Sequence, residues 1–163
     1  MKIPSYVTDY IKKAKSGQIL FNKERIKLIS FLEDNILQRD DLYFDDQRIE
    51  DYIKFSEKWF FPLQDFQKFI SCFVFLYEEE SKTPYFSEFF ISMARGGGKN
   101  GYISTLAAFF MTPLHGIPKY NMSVVANSEK QALVSFREIY DMVESNNLYV
   151  TGERPNNPFY LSK

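Results

Sequence analysis

The spacing of apolar side chains predicts that residues 1–60 are mainly helical. Within residues 5–38, apolar side chains recur near helical spacing at Ile26, Ile29, Leu32 and Ile36. The acidic residues 39–51 follow and favour a turn, and residues 52–60 predict another short helix. We therefore expect residues 1–60 to form a helical N-terminal extension.

Residues 61–163 predict a domain in which strands and helices alternate. Two short apolar runs, at residues 86–94 and 122–127, have the length of buried strands. A glycine-rich segment and a helix separate the two runs, and a second helix follows the later run. Because parallel strands need such a crossover, this order predicts a right-handed βαβ unit in a mixed α/β core.

Three helices are predicted in this second part of the chain. The first spans residues 61–80 after Pro62 and is marked by Phe66, Phe69, Ile70, Phe73 and Leu76. The second is ended by Pro113 and has the apolar face Ile103, Leu106, Ala107, Phe110 and Met111. The third begins at Ser128 and Gln131, a pair that fits a capping box.

Composition and charge narrow the class of protein. With 163 residues, 17 Phe and 11 Tyr, the chain predicts one domain packed with aromatic rings, and its net charge of −1 argues against a basic nucleic-acid coat. The lone cysteine, Cys72, is expected to be a small buried side chain. The predicted helical stretch 5–38 carries one basic face, which either is solvated or makes a local contact with DNA. This face comprises Lys12, Lys13, Lys15, Lys23, Arg25 and Lys27. No segment has the length of a membrane span, so we expect a soluble, cytoplasmic protein.

Residues 93–100, with the sequence MARGGGKN, have the composition of a phosphate-binding loop. Glycines 96–98 permit backbone conformations in which N–H groups converge on an anion, and the following helix would direct its N-terminus at the same point. Lys99 stands where such loops place the amine that reaches the β and γ phosphates. The alternative interpretation is a flexible turn between a strand and a helix.

The motif ARGGGKN resembles the Walker A motif of tailed-phage terminase large subunits of the siphophage type, the motors that package DNA into procapsids. It departs from the common P-loop pattern, because Met93 replaces the first glycine and Asn100 replaces the Ser or Thr that binds Mg²⁺. The resemblance covers residues 5–163 and is most specific at residues 94–101. It implies an α/β P-loop NTPase fold of the RecA/ASCE-like type, with ATP and Mg²⁺ as cofactors.

The same resemblance implies roles for individual residues. Lys99 and Arg95 would act on the phosphates as catalytic residues, and Asn100 would hold Mg²⁺ through its amide oxygen. Backbone donors would come from Gly96, Gly97 and Gly98, and Gly101 would also belong to the nucleotide site.

An aromatic–Gln pair upstream, Phe66 and Gln67, is similar to the adenine motif of the family. A planar amide matches the N6 donor and N7 acceptor of adenine, and a ring can stack on a base. In the alternative interpretation, Phe66 belongs to the apolar helix face and Gln67 is exposed. Gln64 is a competing candidate for the adenine contact.

Several parts of such a motor are not found in the sequence. A Walker B Asp and an acid that positions water are required for hydrolysis, but none of Glu129, Glu138, Asp141, Glu144 and Glu153 ends an apolar strand. Glu138, Asp141 and Glu144 are instead expected to form the solvated face of the last helix. We therefore expect residues 61–163 to be the first part of an ATPase domain in an N-terminal fragment that lacks the nuclease and hydrolyses almost no ATP. His115 is expected to be a turn residue.

The partners implied by the resemblance are double-stranded phage DNA, the terminase small subunit and the portal protein, with self-association also expected and no membrane involved. The setting would be the cytoplasm of the host cell. A second hypothesis is a small non-enzymatic interaction protein whose glycine loop binds an anion or nothing. A third hypothesis, a fragment of a P-loop helicase or kinase, fits the loop and the upstream segment less well.

Overall fold

The first helical region is divided into two helices by a glycine. The computed structural model describes residues 1–145 of the chain. Helix α1 (Ser5–Lys15) ends before Gly17, whose φ of +74° is incompatible with a continuing helix. Helix α2 (Lys23–Asn35) begins at Asn22, whose side chain accepts a hydrogen bond from the N–H of Arg25 at 2.9 Å. The helix predicted over residues 5–38 is therefore confirmed except at residues 16–22 and after Asn35.

A small antiparallel sheet lies where the pattern predicted a turn and the end of a helix. Strand β1 (Leu42–Phe44) pairs with strand β2 (Leu76–Glu78), with Leu42 opposite Glu78 and Phe44 opposite Leu76. Between them come helix α3 (Asp46–Trp59) and helix α4 (Asp65–Val74). The helix predicted over residues 61–80 is therefore correct in its first part and wrong in its last, where backbone pairing with β1 takes over.

The remaining helices follow the glycine-rich segment, as predicted. Helix α5 (Lys99–Phe110) is followed by a 3-10 helix (Pro113–His115), and helix α6 (Glu129–Ser145) ends the described residues. At the start of α6, the Ser128 hydroxyl accepts a hydrogen bond from the N–H of Gln131 at 3.4 Å, which is one of the two hydrogen bonds of the predicted capping box.

The segments predicted as parallel strands are irregular in the structure. Residues 86–94 and 122–127 belong to no sheet within residues 1–145, where the β1–β2 pair is the single sheet. A strand becomes regular only when a second backbone pairs with it, and neither segment has such a neighbour in this part of the chain. The P-loop type of parallel sheet stays a prediction.

The chain divides into two units, each built from two stretches of sequence. Unit 1 comprises Met1–Glu50 and Leu63–Phe90, and unit 2 comprises Asp51–Pro62 and Ile91–Lys163. The residues of each unit contact one another more than they contact the rest of the chain. The predicted boundary at residue 60, between a helical extension and an ATPase domain, stays a prediction.

Aromatic rings pack the core of unit 1, as the composition predicted. Helix α1 packs on α4, where the ring centroids of Tyr10 and Phe69 are 4.6 Å apart. The ring of Phe73 meets Phe69 at 5.1 Å and Phe44 at 5.6 Å, both edge to face. Cys72, which directly precedes Phe73 in the sequence, is fully buried, so its predicted role as a small buried side chain is confirmed.

The core of unit 2 surrounds helix α5, which packs against α6 and the 3-10 helix. Phe109 is fully buried and lies edge to face with Tyr52 at 5.4 Å. The hydroxyls of Tyr52 and Thr105 are 2.7 Å apart, and that of Thr105 donates to the carbonyl oxygen of Tyr102 at 2.9 Å. These contacts fix α5 in unit 2. None of the helices in residues 1–145 has the length and apolar content needed to cross a bilayer.

Candidate functional site

The glycine-rich loop before helix α5 has a backbone that side chains would strain. Gly96 and Gly98 have positive φ angles of +82° and +78°, and the N–H of Gly97 donates to the carbonyl oxygen of Ala94 at 3.0 Å. A Cβ on Gly97 would stand only 3.1 Å from that same oxygen. Each of the three glycines therefore has a structural reason: positive φ at two positions and close packing at the third.

The N-terminus of helix α5 lacks both a side-chain cap and an acidic residue, the groups that usually interact with the free N–H groups of a first helical turn. Its N-cap is Gly98, and no side-chain cap bonds its first turn. Helices α2, α3, α4 and α6 each carry an acidic residue in the first turn, whereas α1 and α5 have none there, and α5 begins with Lys99. A cation at the positive end of a helix dipole is unfavourable by about 0.3–1 kcal/mol. An anion bound at this end would offset that cost.

The polar side chains predicted for the site lie together on this loop and the first turn of α5. Arg95, Lys99 and Asn100 are all exposed, and the carbonyl oxygen of Asn100 accepts a hydrogen bond from the Ser104 hydroxyl at 2.9 Å. Two cationic side chains thus lie exposed at one short stretch of chain, beside an exposed glycine backbone. Such a donor set suits phosphate oxygens.

Gly101 has a packing role that the sequence did not suggest. A Cβ at this position would lie 3.0 Å from Cε1 and 3.2 Å from Cζ of Phe61, so the ring lies directly against the first turn of α5. The carbonyl oxygen of Phe61 accepts a hydrogen bond from the buried Ser56 hydroxyl at 2.8 Å. Sequence reasoning missed Phe61, although a glycine inside a helix is a signal that another group approaches closely.

The predicted adenine pair lies in unit 1, on helix α4. Gln67 is buried, at 2% exposure, and its Oε1 accepts a hydrogen bond from the N–H of Gln64 at 2.8 Å. Together the two glutamines form a capping box at the start of α4. The alternative interpretation of Gln67 as an exposed residue is therefore wrong. Phe66 is half-buried, Gln64 is exposed, and the adenine contact stays a prediction.

A Mg²⁺-nucleotide at this loop would have to be held through its phosphates rather than by a cluster of acidic side chains. Within residues 1–145, no group of three His, Cys, Asp or Glu could hold a metal. Asn100 offers a hard amide oxygen beside two cations, which is compatible with a metal held mainly by phosphates and water.

The acidic residues of the last helix were predicted to form its solvated face. Glu129, Asp141 and Glu144 are exposed, but Glu138 is half-buried. One carboxylate oxygen of Glu138 is buried without a hydrogen-bond partner in the described part of the chain. The prediction is therefore wrong for Glu138, while Glu153 lies outside the described residues.

His115 ends the 3-10 helix, so its prediction as a turn residue is confirmed. Its buried ring lies 4.6 Å from the Phe110 centroid and 4.9 Å from that of Tyr120. His115 thus also contributes to the aromatic packing of unit 2.

No protein-family model matches the chain, and comparisons with curated proteins and with solved structures found no match.

Proposed function

We propose that the chain is the ATP-binding N-terminal part of a terminase large subunit, the motor that packages phage DNA into procapsids. The proposal begins from the resemblance of ARGGGKN to the Walker A motif of that family. Its main support is the N-terminus of α5, where Lys99 follows a glycine loop with positive φ at Gly96 and Gly98 and no acid occupies the first turn. This arrangement is what an anion-binding helix terminus requires.

In this proposal each residue of the loop has a distinct task. Lys99 and Arg95 would bind phosphate oxygens, the N–H groups of Gly96 and Gly98 would add backbone donors, and Asn100 would share in holding Mg²⁺. The N–H of Gly97 already donates to the carbonyl oxygen of Ala94. ATP supplies the energy for translocation when bound. Double-stranded DNA, the small subunit and the portal protein would be partners in the host cytoplasm.

A second candidate is a non-enzymatic interaction protein with a vestigial glycine loop. The observation that favours it is the irregular backbone of residues 86–94 and 122–127, since a P-loop is normally held by paired strands. The two candidates differ in whether the loop binds a nucleotide.

Calorimetric titration of a slowly hydrolysed ATP analogue with Mg²⁺ separates them. The matched variants are Lys99→Ala and Lys130→Ala, because both lysines are exposed helix residues of unit 2 and only Lys99 adjoins the loop. A hydrogen bond between charged groups contributes about 1.5–3 kcal/mol, so Lys99→Ala should weaken binding by about tenfold or more.

Lys130→Ala should bind as the unaltered chain does. The proposal would be contradicted by a folded chain, judged by circular dichroism, that shows no saturable binding. Equal losses in the two variants would also contradict it, because that result indicates attraction by net charge rather than a site at α5.

A further inference from the structure

The ring of Phe61 occupies a defined place beside the candidate phosphate loop. Its Cε1 and Cζ atoms approach within 3.0 and 3.2 Å of where a Cβ of Gly101 would stand, two residues after Lys99. A Cβ at this position would force the ring to move, so glycine permits the close approach. Phe61 and α5 both belong to unit 2, so the contact lies within one unit.

The backbone of Phe61 is held in place from both sides. Ser56, which is fully buried in α3, donates its hydroxyl to the carbonyl oxygen of Phe61 at 2.8 Å. Pro62 follows directly and restricts residue 61 to extended conformations. The ring itself is only half-buried, so part of it stays accessible to a ligand. A fixed, partly exposed ring is the kind of surface on which a nucleobase stacks.

We propose that Phe61, in place of the Phe66 that the resemblance implies, stacks on the base at this site and makes the loop select nucleotides over inorganic polyphosphates. The inference depends on the proposed function, because it needs an anion at Lys99. A nucleotide held there by its terminal phosphates places its sugar and base beyond the loop, and Phe61 lies against the turn that continues from Lys99. Stacking accepts any base, so Phe61 would supply affinity without choosing between adenine and guanine.

The test compares two ligands and two phenylalanine variants. The ligands are a slowly hydrolysed ATP analogue and inorganic tripolyphosphate, each with Mg²⁺. The variants are Phe61→Leu and Phe60→Leu, since Phe60 is also half-buried but its ring packs 6.1 Å from Phe55. Binding is read by calorimetry and by the fluorescence of Trp59, the single tryptophan of the chain. Thermal melts establish that each variant is folded.

Phe61→Leu should weaken binding of the ATP analogue by about tenfold and leave tripolyphosphate binding unchanged, because a stacked base contributes about 1–3 kcal/mol. Phe60→Leu should change neither affinity. Equal losses for both ligands in Phe61→Leu would overturn the inference, since Phe61 would then only position the first turn of α5. Unchanged binding of both ligands would overturn it as well. If the unaltered chain binds neither ligand, the proposed function itself fails.

Discussion

Replacing Gly96 by alanine is expected to damage anion binding far more than it damages the fold. Gly96 has a φ of +82°, and an added Cβ would meet no atom within 4 Å. The substitution therefore causes no collision, and its cost is the strain of an L-residue in left-handed backbone, about 1–2 kcal/mol. For a chain of 163 residues, each kcal/mol lowers Tm by about 2–4 °C.

Gly17 provides a matched control in unit 1. Its φ is +74°, an added Cβ would again meet no atom within 4 Å, and it follows helix α1 far along the sequence from the loop. Gly17→Ala and Gly96→Ala should therefore lower Tm by similar amounts. Strain in the loop displaces the N–H groups that would converge on phosphate, whereas strain after α1 leaves them in place.

The assay is a thermal melt of each variant, followed by circular dichroism, with and without the ATP analogue and Mg²⁺. The Tm of the unaltered chain and of Gly17→Ala should both rise when ligand is added, because a ligand that binds only the folded state stabilises it. Gly96→Ala should lose most of that gain. If the ligand raises the Tm of Gly96→Ala as much as that of the unaltered chain, the backbone of this loop does not act as a phosphate cradle.

Three further predictions concern the core and the caps. Tyr52→Phe removes the buried hydroxyl that lies 2.7 Å from that of Thr105 and should lower the free energy of unfolding by about 1 kcal/mol in urea titrations; an unchanged midpoint would show that this hydrogen bond is not stabilising. Burial raises the pKa of the Cys72 thiol from 9.0 to about 12, so the folded state keeps a proton that the unfolded state releases. The stability that this proton confers is complete below pH 9.0 and is lost as pH rises towards about 12. Cys72→Ala should therefore make the urea midpoint less sensitive to alkaline pH. A midpoint that depends on pH equally in Cys72→Ala and in the unaltered chain would contradict this reasoning. Gln67→Ala removes the acceptor for the N–H of Gln64 and should lower the free energy of unfolding by about 1 kcal/mol in thermal melts; an unchanged Tm would argue against the capping box.

Helix α5 begins and ends close to its predicted positions, and α6 begins close to its predicted start, because Gly98, Pro113 and Ser128 act locally on the backbone. The apolar face predicted for α5 is wrong in part, since Ile103 and Met111 are exposed. The strands β1 and β2 have three residues each, too few for an alternating pattern to be recognised, and their pairing depends on segments more than 30 residues apart in sequence.

Within the candidate site, the loop residues could be predicted and their surroundings could not. The motif itself places Arg95, Lys99 and Asn100 on one short segment, so their proximity follows from the sequence. The burial of Gln67 depends on how α4 packs, and the contact of Phe61 with Gly101 joins residues 40 positions apart. Neither the burial of Gln67 nor the contact of Phe61 with Gly101 produces a periodic pattern in the sequence, because tertiary packing decides both.

The way the two units share the sequence limits how the protein can be divided for experiments. Residues 51–62 belong with residues 91–145, while residues 63–90 belong with the first 50 residues. A truncation that starts at residue 61 would therefore keep α5 but remove Tyr52, which packs against Phe109, and Ser56, which anchors Phe61. A clone of that kind would misfold unit 2, so it could not test whether the loop binds a nucleotide. Internal substitutions in the 163-residue chain are the sound way to study the loop.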